Sequence, residues 1–178
     1  MFFIPGPVIA LVTFPGVVVH EIAHRFFCDI TDTPVYEVAY FRPMGEPAGY
    51  VVHGRTRSLR ASLLISMGPL IVNTVLCAVL TFTVAYQLLV LHEEFSDPVL
   101  IVLAWLGYSI GMHAFPSRQD AAVLTAQVRE ARGSGITLGL ARGASALVTF
   151  ANAARFFWFD AIYAVGVSLA LPFLFGAF

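Results

Sequence analysis

The sequence predicts an all-α integral membrane protein, with about four transmembrane helices and a candidate small β-hairpin on the cytoplasmic side. Three observations predict it. Of the 178 residues, 58% are hydrophobic and only 12% charged, against about 25% charged in a typical soluble domain. The mean hydropathy is +0.82. Four apolar stretches reach the roughly 20 residues that a helix needs to cross a bilayer. Lipid offers no partner to an unpaired backbone amide, so each stretch is expected to be helical. The chain reads as a single membrane-embedded domain, 1–178. Its net charge of −1 argues against nucleic acid as a partner, because phosphate binding needs a basic face.

The first span is expected over 4–27. Residues 2–19 include no charge, and the run leads straight into His20-Glu21-Ile22-Ala23-His24. It lacks a positive n-region, so it does not read as a cleaved signal peptide. In the 29–60 loop, Val35-Tyr36-Glu37-Val38-Ala39-Tyr40-Phe41 is rich in strand formers. Pro43 to Pro47 form a turn signal, and Gly49-Tyr50-Val51-Val52 suits a return strand. The alternative is an ordered loop that packs its aromatics on the membrane surface. The second span, 61–91, is longer than a bilayer requires, and Gly68-Pro69 is expected to kink or interrupt it. The third span is 98–116. The Gly- and Ala-rich 139–154 stretch reads as an interfacial helix leading into a fourth span, 156–175.

All ten basic residues are arginines. Arg42, Arg55, Arg57 and Arg60 lie in 29–60, and Arg118, Arg129, Arg132 and Arg142 in 117–142. The 92–97 connection has Glu93, Glu94 and Asp97 but no arginine. The positive-inside rule makes the 29–60 and 117–142 loops cytoplasmic, in a protein of the cell membrane. Cys28 and Cys77 lie in or beside apolar segments and read as small hydrophobes, without a disulfide framework.

Residues four apart share a helix face. His20 and His24 can therefore grip one metal ion, with Glu21 beside them to take a proton from an activated water. Zinc is the ion this motif implies. The bland reading is two incidental histidines near a helix end, paired with Glu21. Ionisable groups at membrane depth are costly and usually functional, which favours the metal. A catalytic zinc needs a third protein ligand and an open fourth position; Asp120, His113 and His53 are the candidates. The segment from His113 to Asp120 closes the third span at its cytoplasmic end, the depth that the charge rule also assigns to His20 and His24.

Ser117 can donate to Asp120 or simply shape a helix-end turn. Asn73 can bind substrate backbone or make an interhelical hydrogen bond. Arg155 and Asp160 are expected to pair within the bundle or to snorkel. Arg129, Glu130 and Arg132 read as a solvated face, and His53 and His92 as loop histidines.

Here the chain resembles the site-2 protease family of intramembrane zinc metalloproteases. That family has H-E-x-x-H on one transmembrane helix and a third ligand, Asp, after an Asn-x-x-Pro stretch. Pro116 and Asp120 look like that Pro and Asp, with His113 where the family has Asn. Gly68-Pro69-Leu70-Ile71-Val72-Asn73 is similar to the family's Gly-Pro helix near the active site. Gly49-Tyr50-Val51 is similar to a motif of its membrane-associated β region. The likeness spans most of 8–120. Ala121 stands where the family has Gly, and Gln119 where it has Leu, as in a divergent, minimal branch.

The resemblance implies a zinc metalloendopeptidase with His20, His24 and Asp120 on the ion and Glu21 as catalytic base. His113, Asn73 and Ser117 would support ligands or substrate. The substrate would be a membrane protein or peptide in the lipid bilayer, cut near the cytoplasmic face. The altered residues around Asp120 motivate the alternative, a non-catalytic membrane zinc protein acting as scaffold or regulator.

Overall fold

The first apolar stretch breaks at Thr13. In the computed structural model, which describes residues 5–92, 96–132 and 134–175, helices α1 (Gly6–Val12) and α2 (Phe14–Ile30) meet at 90°. The expected continuous helix over 4–27 is thus corrected; Ile4 itself lies outside the described residues. Pro15 explains the break: it has no N–H to continue α1, and its ring clashes with the preceding turn. At the start of α2, by contrast, the missing N–H costs nothing. The Thr13 hydroxyl closes α1 by donating to the Ile9 carbonyl at 2.7 Å.

The hairpin forms. Strands β1 (Val35–Ala39) and β2 (Tyr50–His53) pair antiparallel, from Val35 opposite His53 to Ala39 opposite Tyr50, with an irregularity between Val35 and Glu37. Helix α3 (Leu59–Leu89) starts at an N-cap, where the Ser58 hydroxyl accepts from the Ala61 N–H at 3.2 Å. It runs through Pro69 without the expected interruption.

Helix α4 (Pro98–Met112) stops short of the expected 116. Pro116 cannot continue a helix and disfavours helical geometry at Phe115, so 113–117 becomes a connecting loop. Glu93 and Glu94, part of the 92–97 connection, lie outside the described residues. Helix α5 (Arg118–Glu130) falls where sequence reading expected only a charged loop. Ser117 and Asp120 cap it reciprocally, and Ala121 and Leu124 bury its inner face.

Helix α6 (Ile136–Ala154) continues into a 3-10 turn (Arg155–Phe157) and meets α7 (Phe159–Leu174) at 104°. The break carries Trp158 at φ 60°. The α-helix of the fourth apolar stretch therefore begins at Phe159, not at 156. Arg55 pairs with Glu130 on the exposed surface at 2.8 Å.

The molecule is mostly helical with one small antiparallel sheet. Among the described residues, α3 alone is long and apolar enough to cross a membrane; each bent pair taken as one span would raise the count to three. Helix α4 is apolar but shorter. The expectation of four spans is thus matched by one to three.

Helix α3 is the hub, packing on α2, α4, α5, α6 and α7. Phe27, Cys28 and Ile65 form a buried cluster with Val35, Val51 and Val72 against it. Two glycines set the closest approaches. A Cβ at Gly68 would lie 2.0 Å from the Phe27 ring, and one at Gly16 would lie 2.0 Å from the Ser109 carbonyl oxygen. Helix α2 is thereby drawn against both α3 and α4, which places its histidines between them.

Candidate metal centre

His20 and His24 lie one turn apart on the buried face of α2. Each ring is held by a backbone carbonyl from another element. His20 donates through Nδ1 to the His113 carbonyl at 2.6 Å. His24 donates through Nδ1 to the Ile65 carbonyl at 3.0 Å. The second contact has a covalent origin. Ile65 lies four residues before Pro69, and the amide that would have used its carbonyl is the one proline lacks. The proline inside α3 thus frees the acceptor that orients His24.

With Nδ1 protonated on both rings, each Nε2 bears a lone pair. The two Nε2 atoms lie 3.1 Å apart, and Asp120 Oδ2 lies 3.4 Å from that of His24. One ligand atom from each of the three residues falls within 4.8 Å of the others. When both rings are neutral, three lone-pair atoms converge here. This buried group can hold a metal ion. The two separations of 3.1 and 3.4 Å are close to the tetrahedral edges of about 3.3–3.6 Å that ligand distances of about 2.0–2.2 Å give.

Asp120 is held in turn by Ser117. The Ser117 N–H and hydroxyl both donate to Asp120 Oδ2, at 2.8 and 2.6 Å. The Ser117 hydroxyl accepts from the Asp120 N–H at 3.2 Å. The two roles weighed for Ser117 are one arrangement: the helix cap is also the carboxylate's support. Burial alone would raise the Asp120 pKa, but the His24 and His20 rings and Ser117 outweigh it and hold it well below the ordinary carboxylate range.

His113 contributes through its backbone. Its ring Nε2 donates to the Thr13 hydroxyl at 2.8 Å, because that hydroxyl's own proton goes to Ile9. The ring thus belongs to the α1–α2 break, while the carbonyl accepts from His20. Asn73 is fully buried and makes interhelical bonds: its Nδ2 lies 3.0 Å from the same His113 carbonyl, 3.1 Å from that of Ile110 and 3.3 Å from that of Gly16. It ties α2, α3 and the end of α4 together behind the ligands. His53 bonds the adjacent Gly54 carbonyl from β2 and stands outside the cluster.

Glu21 is buried beside the ligands. With His20 it lines a cavity of about 520 Å³ that reaches Gly49, His113, Ser117 and Trp158. A Cβ at Gly49 would lie 2.7 Å from Glu21 Cγ, so the loop entering β2 packs directly on the carboxylate's stem.

Sequence reading missed two participants, Thr13 and Asn152. Asn152 donates to the Pro116 carbonyl at 3.2 Å. The available signal was an amide side chain in an otherwise Ala-rich apolar helix.

No model of a known family, no curated protein and no solved structure matches this chain.

Proposed function

We propose that this chain is an intramembrane zinc metalloendopeptidase, a divergent and minimal relative of the site-2 proteases. It would hydrolyse peptide bonds of membrane-associated substrates near the cytoplasmic face. The observation that carries the reading is the convergence of three lone-pair atoms from His20, His24 and Asp120 beside a buried glutamate on one cavity.

Two imidazoles and one carboxylate form a donor set that suits zinc and leaves a coordination position for water or substrate. When bound, zinc supplies Lewis acidity, making water more acidic and polarising the scissile carbonyl. Glu21 on the cavity side takes the proton of the attacking water and delivers it to the leaving amine nitrogen. The His113 and Ile65 carbonyls keep both imidazoles in the tautomer that points Nε2 inward. A substrate helix hides its carbonyls in its own hydrogen bonds, so a segment must unwind. The edges of the two-stranded sheet offer backbone groups to hold it by strand addition.

The membrane setting is supported by outward apolar side chains. Ile71, Val75 and Val79 of α3, and Ile162, Leu169 and Phe173 of α7, are exposed, which suits a lipid environment better than water. In this reading the protein sits in the cell membrane with the 29–60 and 117–142 loops cytoplasmic. Its partners are the bilayer and a membrane protein or peptide substrate.

The test is cleavage of a membrane-embedded peptide library by the purified chain, with metal content measured in parallel. Zinc-dependent cleavage that vanishes in Glu21→Gln while zinc is retained supports the reading. Equal zinc in wild type, His20→Ala and Asp120→Ala would sink it. A second reading, a non-catalytic membrane zinc protein serving as scaffold or regulator, is favoured by Ala121 and Gln119 beside the third ligand. It predicts that Glu21→Gln leaves the biological phenotype intact while His20→Ala abolishes it.

A further inference from the structure

The loop that leads into the third candidate ligand, Asp120 of α5, is buried at 114–116, and buried carbonyls need donors. Ala114 is fully buried, Phe115 is 5% exposed and Pro116 is fully buried. The donors come from the break between α6 and α7, a region outside the metal ligands and their immediate supports. Arg155 donates through Nη2 to the Phe115 carbonyl at 3.0 Å. Asn152 donates to the next carbonyl, that of Pro116, at 3.2 Å. Arg155 is itself held in plane, with Nη1 on Asn152 Oδ1 at 2.9 Å and Nε on Asp160 Oδ2 at 2.8 Å. The Phe115 ring packs on Phe159 and Tyr163 of α7, with centroids 5.3 and 4.7 Å away.

We propose that Arg155, braced by Asp160 and working with Asn152, is a positioning clamp that holds the 115–117 segment and thereby keeps Asp120 on the metal. The inference rests on the metal-centre reading above.

A planar guanidinium suits this task, since it serves three acceptors in fixed directions; a lysine ammonium cannot. The connection to the metal is short. Pro116 leads directly to Ser117, whose N–H and hydroxyl hold Asp120 Oδ2. At the other end of the loop, the His113 carbonyl orients His20. A loop gripped at Phe115 and Pro116 fixes both ends. Outer supports of this kind typically change metal affinity about ten- to a hundredfold when removed.

The experiment is a Zn(II) titration of the full chain in detergent against a chelating indicator, with Co(II) absorption as the readout of coordination geometry. Arg155→Ala is expected to weaken Zn(II) binding about ten- to a hundredfold and to alter the Co(II) spectrum. Arg155→Lys should not restore either, and Asn152→Ala should weaken binding by at least about threefold. In an Asp120→Ala background, Arg155→Ala should cause a clearly smaller loss, because the nearer ligand it positions is gone and only the His113 carbonyl's hold on His20 is left to disturb.

Binding within about twofold of wild type in both Arg155→Ala and Asn152→Ala overturns the clamp. So does an equal loss with and without Asp120, the mark of a general structural role. If Arg155→Ala does not fold, Arg155→Lys and Asn152→Ala decide by the same criteria. A wild-type chain that binds no metal overturns the metal centre and the clamp together. Wild-type binding with indifferent variants overturns the clamp alone.

Discussion

Replacing Ser117 separates two jobs that one side chain performs. Its hydroxyl caps α5 by accepting from the Asp120 N–H, and it donates to Asp120 Oδ2. Ser117→Ala removes both. Losing the cap costs about 1 kcal/mol of stability, whereas glycine at a cap position costs only a few tenths. Losing the second contact loosens the carboxylate, but the Ser117 N–H still donates to the same oxygen at 2.8 Å. The metal affinity should therefore fall at the low end of the outer-support range, about tenfold or 1.4 kcal/mol.

Ser117→Gly is the discriminating variant. It should nearly keep metal-free stability yet lose about the same tenfold in affinity as alanine. Ser117→Thr should keep both properties. The assay pairs denaturation in the presence of chelator with competitive Zn(II) titration. Affinity within about twofold of wild type in both the alanine and glycine variants would refute the claim that Ser117 positions Asp120. A loss in alanine alone would assign the effect to the cap.

Three further outcomes are expected. Gly49→Ala places a Cβ 2.7 Å from Glu21 Cγ, about 1 Å inside normal contact. A misplacement of about that size can reduce catalysis about a hundredfold, so under the proposed function peptide cleavage should collapse while metal binding is kept; unchanged turnover contradicts the proposed role of Glu21. Pro69→Ala returns an amide that competes for the Ile65 carbonyl. It should strengthen helix α3, since proline costs about 3 kcal/mol in a helix interior, yet weaken zinc binding; a titration identical to wild type counts against the proline's role. Stripping metal with chelator should lower thermal stability, by about 2.7 kcal/mol relative to zinc at a hundredfold excess over Kd. A melting transition that ignores chelator would contradict the centre.

Much of this was legible in the chain. The ligand pair was visible because four-residue spacing is a helix property, independent of tertiary context. Asp120 was a candidate from the sequence, and the structure brings it beside His20 and His24. The hairpin was visible because strand formers flank a turn signal. The breaks were less legible. Pro15 can end one helix or begin the next, and only the 90° bend decides. Pro69 looked like a kink or an interruption, but α3 continues through it, packed on α2, α4, α5, α6 and α7. Helix α5 was hidden because its charged residues resemble a loop, although Ser117 and Asp120 carried its cap signature.

By itself the sequence determined the apolar character, the helical class, and the spacing that sets His20 and His24 on one helix face beside Glu21. These depend on composition and on short, local periodicities. The tertiary structure decided which groups hold the ligands. It turned the His113 ring towards Thr13 and used its carbonyl instead, gave Asn73 to three carbonyls, and brought Arg155 and Asn152 onto the Asp120 loop. Those assignments join residues as far apart in the chain as His20 and His113, or Phe115 and Arg155. They depend on backbone carbonyls, which every residue carries and no residue letter distinguishes.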